Sequence, residues 1–289
     1  MIKWVWVCFY LLPVITMGQH AQLPVVSFNH LYVVLRDEDL KAIQQSAFIK
    51  NVLGALETRT SKGSNETWTG TYLYGVNNYI ELFDTASLSG STQGTTGIGF
   101  SVDRLNDLKL LQVVLAKNYV VETFDQEKED GNAKFAWYHG LYVDDSLFYE
   151  RSALSFWMMA YDTACFNYYH FPYQEDLLTS TAYLKKFDAD REGKIIRNFT
   201  GAVLHLSDYE MDYFSKYLLQ IGFTQSGAAD FVSANKQFTF TLKHRADEDS
   251  LVLSALIFEA NFSSRKNTID ISPNVSVMLN KKSGSLNFK

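Results

Sequence analysis

The chain is short of cysteine, of basic surplus and of long apolar runs, and each shortage removes a class of protein. Only two cysteines occur in 289 residues, Cys8 and Cys165. Cys8 belongs to an apolar stretch at the N-terminus, so the body of the chain keeps one thiol, forms no internal disulfide and must draw its stability from a core. Lysine and arginine total 26 against 32 acidic residues, a net charge of −6 spread along the sequence. That leaves no basic face for nucleic acid or anionic lipid. There is no phosphate loop, dinucleotide fingerprint, serine elbow or paired-cysteine metal motif. What is plentiful is apolar and aromatic material, 47% and 15% of residues beside 20% charged, the composition of a globular protein.

Met1-Ile2-Lys3 precedes an almost wholly apolar run from Trp4 to Met17. As a helix the run rises about 21 Å against a hydrocarbon core of roughly 30 Å, and Pro13 weakens it further. It reads as an export signal over residues 1–18, cleaved after Gly18 with Ala21 as a second position, and not as a membrane anchor. The expected location is secreted or periplasmic, with no membrane partner once the leader is removed. Cys165, between Ala164 and Phe166, reads as a buried inert thiol. Triplets for N-glycosylation stand at Asn65, Asn198, Asn261 and Asn274.

Two stretches share one order of elements. Residues 25–35 are rich in β-branched and aromatic side chains, Asp37-Glu38-Asp39 opens a helix through Leu40 and Ile43, and strands follow at 56–60, 67–74 and 79–83. That is a βαβββ unit, assigned to residues 25–98. Toward the other end a strand at 201–206 leads into a helix from Asp208 through Phe214 and Leu218, stopped by Gly222, with strands at 223–225, 237–244 and 251–260. This second βαβββ unit is assigned to residues 199–262. The intervening 99–198 holds many aromatics, among them Phe148, Phe156, Trp157, Tyr161 and Phe166, and is expected to be an insertion packed on the two modules. Within it, Glu127-Lys128-Glu129-Asp130 reads as a solvated turn. A C-terminal extension over 263–289 is expected to carry an edge strand at 275–278 and a polar tail.

With these units in view, the chain resembles the glyoxalase-like, vicinal oxygen chelate superfamily. The resemblance rests on Phe28-Asn29-His30-Leu31-Tyr32-Val33-Val34-Leu35, Gly70-Thr71-Tyr72-Leu73-Tyr74-Gly75 and Tyr79-Ile80-Glu81-Leu82-Phe83. It implies an α+β fold in which paired βαβββ modules form a cupped mixed sheet. In metal-using relatives the first and last strands of each module supply the ligands, which carries over to His30, Glu81 and Glu259 and leaves the fourth place at Gly201. His205, on the same face, lies about 13 Å along the strand and does not replace it. The resemblance thus implies one divalent metal ion, with Glu81 and Glu259 as catalytic carboxylates.

Alternation adds an independent point. Trp68, Tyr72 and Tyr74 share one face of a strand, as His30 and Tyr32 do on theirs, so Tyr32, Trp68, Tyr72 and Tyr74 are expected to bind a planar or sugar-like ligand in an aromatic-lined cup. His139 is the first candidate for a ligand from outside the modules. Three functions fit: an exported protein that binds a small organic molecule, a metal-dependent lyase, isomerase or dioxygenase-type enzyme, and a structural or protein-interaction role. Monomer and homodimer are both open.

Overall fold

The computed structural model describes residues 23–63, 67–88, 90–245 and 251–289; the expected leader with Cys8 and its cleavage positions, and Asn65, lie outside them. In β1 (Ser27–Val34) the period of two sends Leu31 and Val33 to one face, fully buried, and His30 and Tyr32 to the other. Asp37, Glu38 and Asp39 place negative charge in the first turn of α1 (Asp37–Gln45), where it complements the helix dipole, and the helix buries Leu40 and Ile43. With β2 (Ala55–Lys62), β3 (Thr67–Tyr74) and β4 (Tyr79–Phe83) this makes a βαβββ module in which β1 and β4 are parallel neighbours.

The module that pairs with it is not the expected one. Residues 96–161, assigned from the sequence largely to an insertion, are themselves βαβββ: β5 (Thr96–Ser101), α2 (Leu105–Leu115), β6 (Val121–Asp130), β7 (Ala133–Val143) and, after a short α3 (Ser146–Arg151), β8 (Leu154–Tyr161). β5 runs antiparallel to β1, and Lys62 pairs with Glu129 across β2 and β6. Eight strands thereby close in the order β1-β4-β3-β2-β6-β7-β8-β5. The fold is therefore α+β with paired βαβββ modules in a cupped, closed sheet, and the correction concerns which segment supplies the second module.

Two physical reasons hid it. Gly97 and Gly99 are weak strand formers, and only their partners on β1 and β8 hold β5 extended. β6 is polar on both faces, so Glu127 to Asp130, expected to be a solvated turn, are strand residues opposite β7.

Residues 196–244 form a third βαβββ unit, whose strands differ from those expected over 199–262: the strand Asp230–Val232 was not foreseen, and the expected last strand at 251–260 is part of a longer one, Leu253–Asp270. The unit comprises β9 (Ile196–Leu206), α7 (Asp208–Gln220), β10 (Thr224–Ser226), β11 (Asp230–Val232) and β12 (Thr239–His244); the helices α4 (Thr163–Tyr168), α5 (Ser180–Leu184) and α6 (Asp188–Arg191) lie between it and the barrel modules in sequence. Its sheet is widened by a hairpin of β13 (Leu253–Asp270) and β14 (Val275–Phe288), giving the order β10-β11-β12-β9-β13-β14. The expected boundary at 262/263 thus falls inside β13. The expected polar tail is strand: Val275, Val277 and Leu279 are buried in alternation with Ser276 and Met278, and after an exposed stretch at Asn280 to Ser283 the segment from Gly284 to Leu286, with Phe288, is buried again.

This sheet packs against the outside of the barrel with α7 between them. Phe28 stacks on Phe238 at 3.8 Å, and Phe156 of β8 meets Tyr217 and Phe214 of α7 at 4.3 and 5.3 Å. Among the described residues no helix is long and apolar enough to cross a membrane.

One buried carboxylate fastens α7 to the barrel. Glu210, 0% exposed, accepts from Ser152 Oγ at 2.8 Å, from Ala153 N at 3.2 Å and from the Ser207 backbone at 2.8 Å, and it pairs with Arg245 at 2.9 Å. With Ser207 it also closes a capping box. Glu210→Ala leaves a largely buried guanidinium without its partner, so the expected loss is about 3–5 kcal/mol in urea unfolding. A loss under about 1 kcal/mol shows that the third module docks through its apolar face alone.

Candidate functional site

An eight-stranded barrel has an interior wide enough for side chains or for one small ligand. Here the inward positions leave a cavity of about 330 Å³. His30 and Tyr32 of β1, Trp68 of β3, Tyr79 and Glu81 of β4, Phe124 and Gln126 of β6, Trp137 and Tyr138 of β7, and Trp157, Met159 and Tyr161 of β8 line it, together with Phe83 and Leu88. Both barrel modules contribute, and rings make up most of the wall.

His30 sits where β5 has no side chains. Its ring lies opposite Gly99, and a Cβ there would stand 2.6 Å from His30 Cε1; a Cβ on Gly97 would overlap the Tyr32 ring. The imidazole is parallel to Tyr79 at 4.8 Å and edge-on to Trp157 at 5.2 Å. The Asn29 amide nitrogen donates to Ser180 Oγ at 2.7 Å, which turns its Oδ1 toward His30 Nδ1 at 2.8 Å. This assigns the proton to Nδ1 and leaves Nε2 as an acceptor. Burial pushes the ring down to about 3, so it is neutral at ordinary pH.

Glu81, on the neighbouring strand, is pushed up to about 7 by burial, against the opposing pull of Arg59 and a hydrogen bond from Tyr79. A carboxyl poised near neutrality both gives and takes a proton, and a neutral imidazole accepts a hydrogen bond. The remaining wall orients a flat molecule by contact.

Of the residues expected to form a metal centre, the structure brings His30 and Glu81 together and places Glu259 elsewhere. Glu259 lies on β13 in the other sheet, half-exposed and paired with Arg197 at 3.1 Å, so it takes part in neither of its expected roles. The reason is the module exchange: opposite β1 stands β5, where the inward positions are Gly97 and Gly99, and beside it β8 offers Ser155 and Trp157. Among the described residues no three His, Cys, Asp or Glu side chains converge as a metal site.

Tyr32 and Trp68, two of the four residues expected to bind a ligand, line the cavity. Tyr72 and Tyr74 point into the barrel but are buried in a neighbouring cluster. The Tyr72 hydroxyl accepts from the Trp68 indole at 3.0 Å, and Tyr74 donates to Glu57 at 2.7 Å and stacks on Phe187 at 3.6 Å. His139 faces away from the cavity, between Asp125 at 2.6 Å and Asp162 at 2.8 Å. The Asn198 and Asn274 side chains are held in bonds to Asn77 and Asp39. The wall residues Phe124, Gln126, Trp137, Tyr138, Met159 and Tyr161 were missed, although alternation at Trp157, Met159 and Tyr161 carried the signal.

The model of a family of unknown function, DUF5829, matches residues 28–288. No curated protein matches the sequence. Among solved structures, a hypothetical protein from Staphylococcus aureus is similar with a TM-score of 0.51 at 10% identity, over 77% of this chain and 87% of that one, a likeness of fold alone. The Mn(II)-bound glyoxalase from Novosphingobium aromaticivorans gives 0.41 at 11% identity over 89% and 78%, and a catechol 2,3-dioxygenase gives 0.40 at 10% identity over 89% of each chain.

His30 and Glu81 act on stability with opposite sign. Unfolded His30 takes a proton near 6.5 that the native ring refuses until about 3, so stability falls as pH drops through that window. Native Glu81 keeps its proton up to about 7 where the unfolded chain loses it near 4.5, so stability falls as pH rises between those values. Glu81→Gln removes the second slope. Relative to the native chain it is expected to gain about 3 kcal/mol in urea unfolding between pH 4.5 and 7.5. Parallel pH profiles for the two proteins would place the carboxyl in water and not in a dry cavity.

Proposed function

We propose that the chain, which belongs to the DUF5829 family of unknown function, binds one small planar organic molecule inside its barrel. The observation that carries this is the ring-lined cavity of about 330 Å³, with His30, Glu81 and Gln126 as its polar contacts. Burying one aromatic side chain's worth of surface contributes about 1.5–3 kcal/mol, and convergent polar groups fix orientation. Glu81 serves as the proton acceptor or donor for a hydroxyl or acid on the ligand, and His30 Nε2 as a fixed acceptor beside it. Export through the leader of residues 1–18, and descent from the glyoxalase-like superfamily, belong to the same proposal; the paired modules support the latter.

A second reading is the metal-dependent lyase, isomerase or dioxygenase. It is favoured by His30 Nε2 and Glu81 sharing one cavity. Catalytic zinc-type sites use three protein ligands, and the residues present supply one imidazole and one carboxylate. That set falls one ligand short of such a site.

The test combines melting shifts with fluorescence of Trp68, Trp137 and Trp157 against a panel of flat aromatic and conjugated compounds. A ligand raises the melting temperature by mass action, and Trp68→Leu is expected to weaken it about tenfold. No response to any compound at millimolar concentration removes the reading. Mn²⁺, Zn²⁺ and Mg²⁺ are expected to give no shift; a large shift abolished by both His30→Ala and Glu81→Ala would instead establish the second reading.

A further inference from the structure

Trp137 belongs to two neighbourhoods. Its ring lines the cavity, while its indole Nε1 is buried and finds no acceptor among the described residues. Beside that nitrogen lies the hydroxyl of Tyr183, 2% exposed and equally without a completed hydrogen bond. Lys128 Nζ stands 4.8 Å from the Trp137 ring and 5.2 Å from Tyr169. Lys128 is 8% exposed and makes no ion pair or hydrogen bond among the described residues. Lys186 reaches the same rings from the helical segment before β9, 4.8 Å from Tyr169 and 5.1 Å from Tyr183. Arg59 lies over Tyr72 at 4.3 Å with its Nε buried and unpartnered.

The acidic groups near these three cations are already engaged or neutralised: Glu57 by Arg59 at 3.5 Å and by the Tyr74 hydroxyl at 2.7 Å, Asp130 by the Tyr169 hydroxyl at 2.8 Å, while burial holds Glu81, near Arg59, toward its neutral form. Burial first, and then the neighbouring cations, push Lys128 down to about 8 and Lys186 down to about 7. Arg59 Nε, Trp137 Nε1 and an ammonium only donate. A water satisfies one donor but offsets no charge, and a buried cation without a counter-charge is costly. A group that is anionic and accepts only is the complement of this cluster.

We propose that Arg59, Lys128, Trp137 and Tyr183 hold the carboxylate of the molecule whose ring system occupies the cavity, so that the ligand is a planar aromatic or conjugated acid. This rests on the binding role proposed above and narrows its ligand class.

The experiment titrates the full chain with benzoate and with its uncharged isostere benzamide at about pH 6.5, where both lysines are protonated. The same titrations are made with Lys128→Met and, should that variant fail to fold, with Arg59→Gln. Benzoate is expected to bind the native chain at least tenfold more tightly than benzamide, and the ratio to fall to about one in the variant through weaker benzoate binding. Without ligand, Lys128→Met is expected to melt no lower than the native chain, because it removes an unpaired buried charge and keeps the stem. Equal affinities in the native chain overturn the carboxylate site while leaving the binding role in place. A preference that survives in the variants also overturns the site, and so does binding of neither compound when other members of the flat-compound panel bind; no response from the whole panel removes the binding role as well.

Discussion

The antiparallel contact between β1 and β5 decides what the interior of this protein can be. At Tyr32 opposite Gly97 and at His30 opposite Gly99, one strand brings a ring and the other brings nothing. Because a Cβ at either glycine would strike the facing ring, the two rings lie flat across the barrel floor instead of standing up to meet partners from the second module. The same absence takes away the place where another metal-ligating side chain would project. A floor of rings, and not of donors, follows from two residues without side chains.

From that floor upward the interior is a compromise between packing and charge. Tyr79 covers one face of the His30 imidazole and Trp157 closes its edge, which keeps the ring dry and neutral. Glu81 is drawn toward the protonated form by the same dryness. A cluster built only for stability would pair its cations or replace them with apolar side chains. The retention of Arg59 and Lys128 near Trp137, with donors left over, is the kind of local cost that functional sites carry and scaffolds do not. Glu210, which fastens α7 to the barrel, is by contrast engaged fivefold.

The modular pattern was legible because it is local. In 25–83 the period of two at Leu31 and Val33 against His30 and Tyr32, the acidic start of α1 and the turn before β4 are written in neighbouring residues. The third module is readable for the same reason, with Ser207 and Glu210 closing the box that starts α7. The second module was hidden. β5 carries two glycines and β6 has only Val121 and Phe124 as apolar residues, so neither has the signature of a strand until the other strands hydrogen-bond to it. Part of the candidate site was legible for the same reason that the first and third modules were. His30, Tyr32, Trp68 and Glu81 lie in the readable module, whereas Phe124, Gln126, Trp137 and Tyr138 lie in the hidden one.

The sequence by itself determined that the chain builds βαβββ units, that His30 and Tyr32 share a face, and that a large aromatic content must be buried, because each depends on residues a few positions apart. Only the tertiary structure decided which unit closes on which. That choice rests on contacts between strands far apart in sequence, on the fit of Tyr32 and His30 over Gly97 and Gly99, and on the single Lys62 to Glu129 pairing that shuts the barrel. It sent Glu259 to the surface of another sheet and brought Trp137 and Trp157 to the cavity, since a residue's neighbours across a barrel are set by closure and not by its place in the chain.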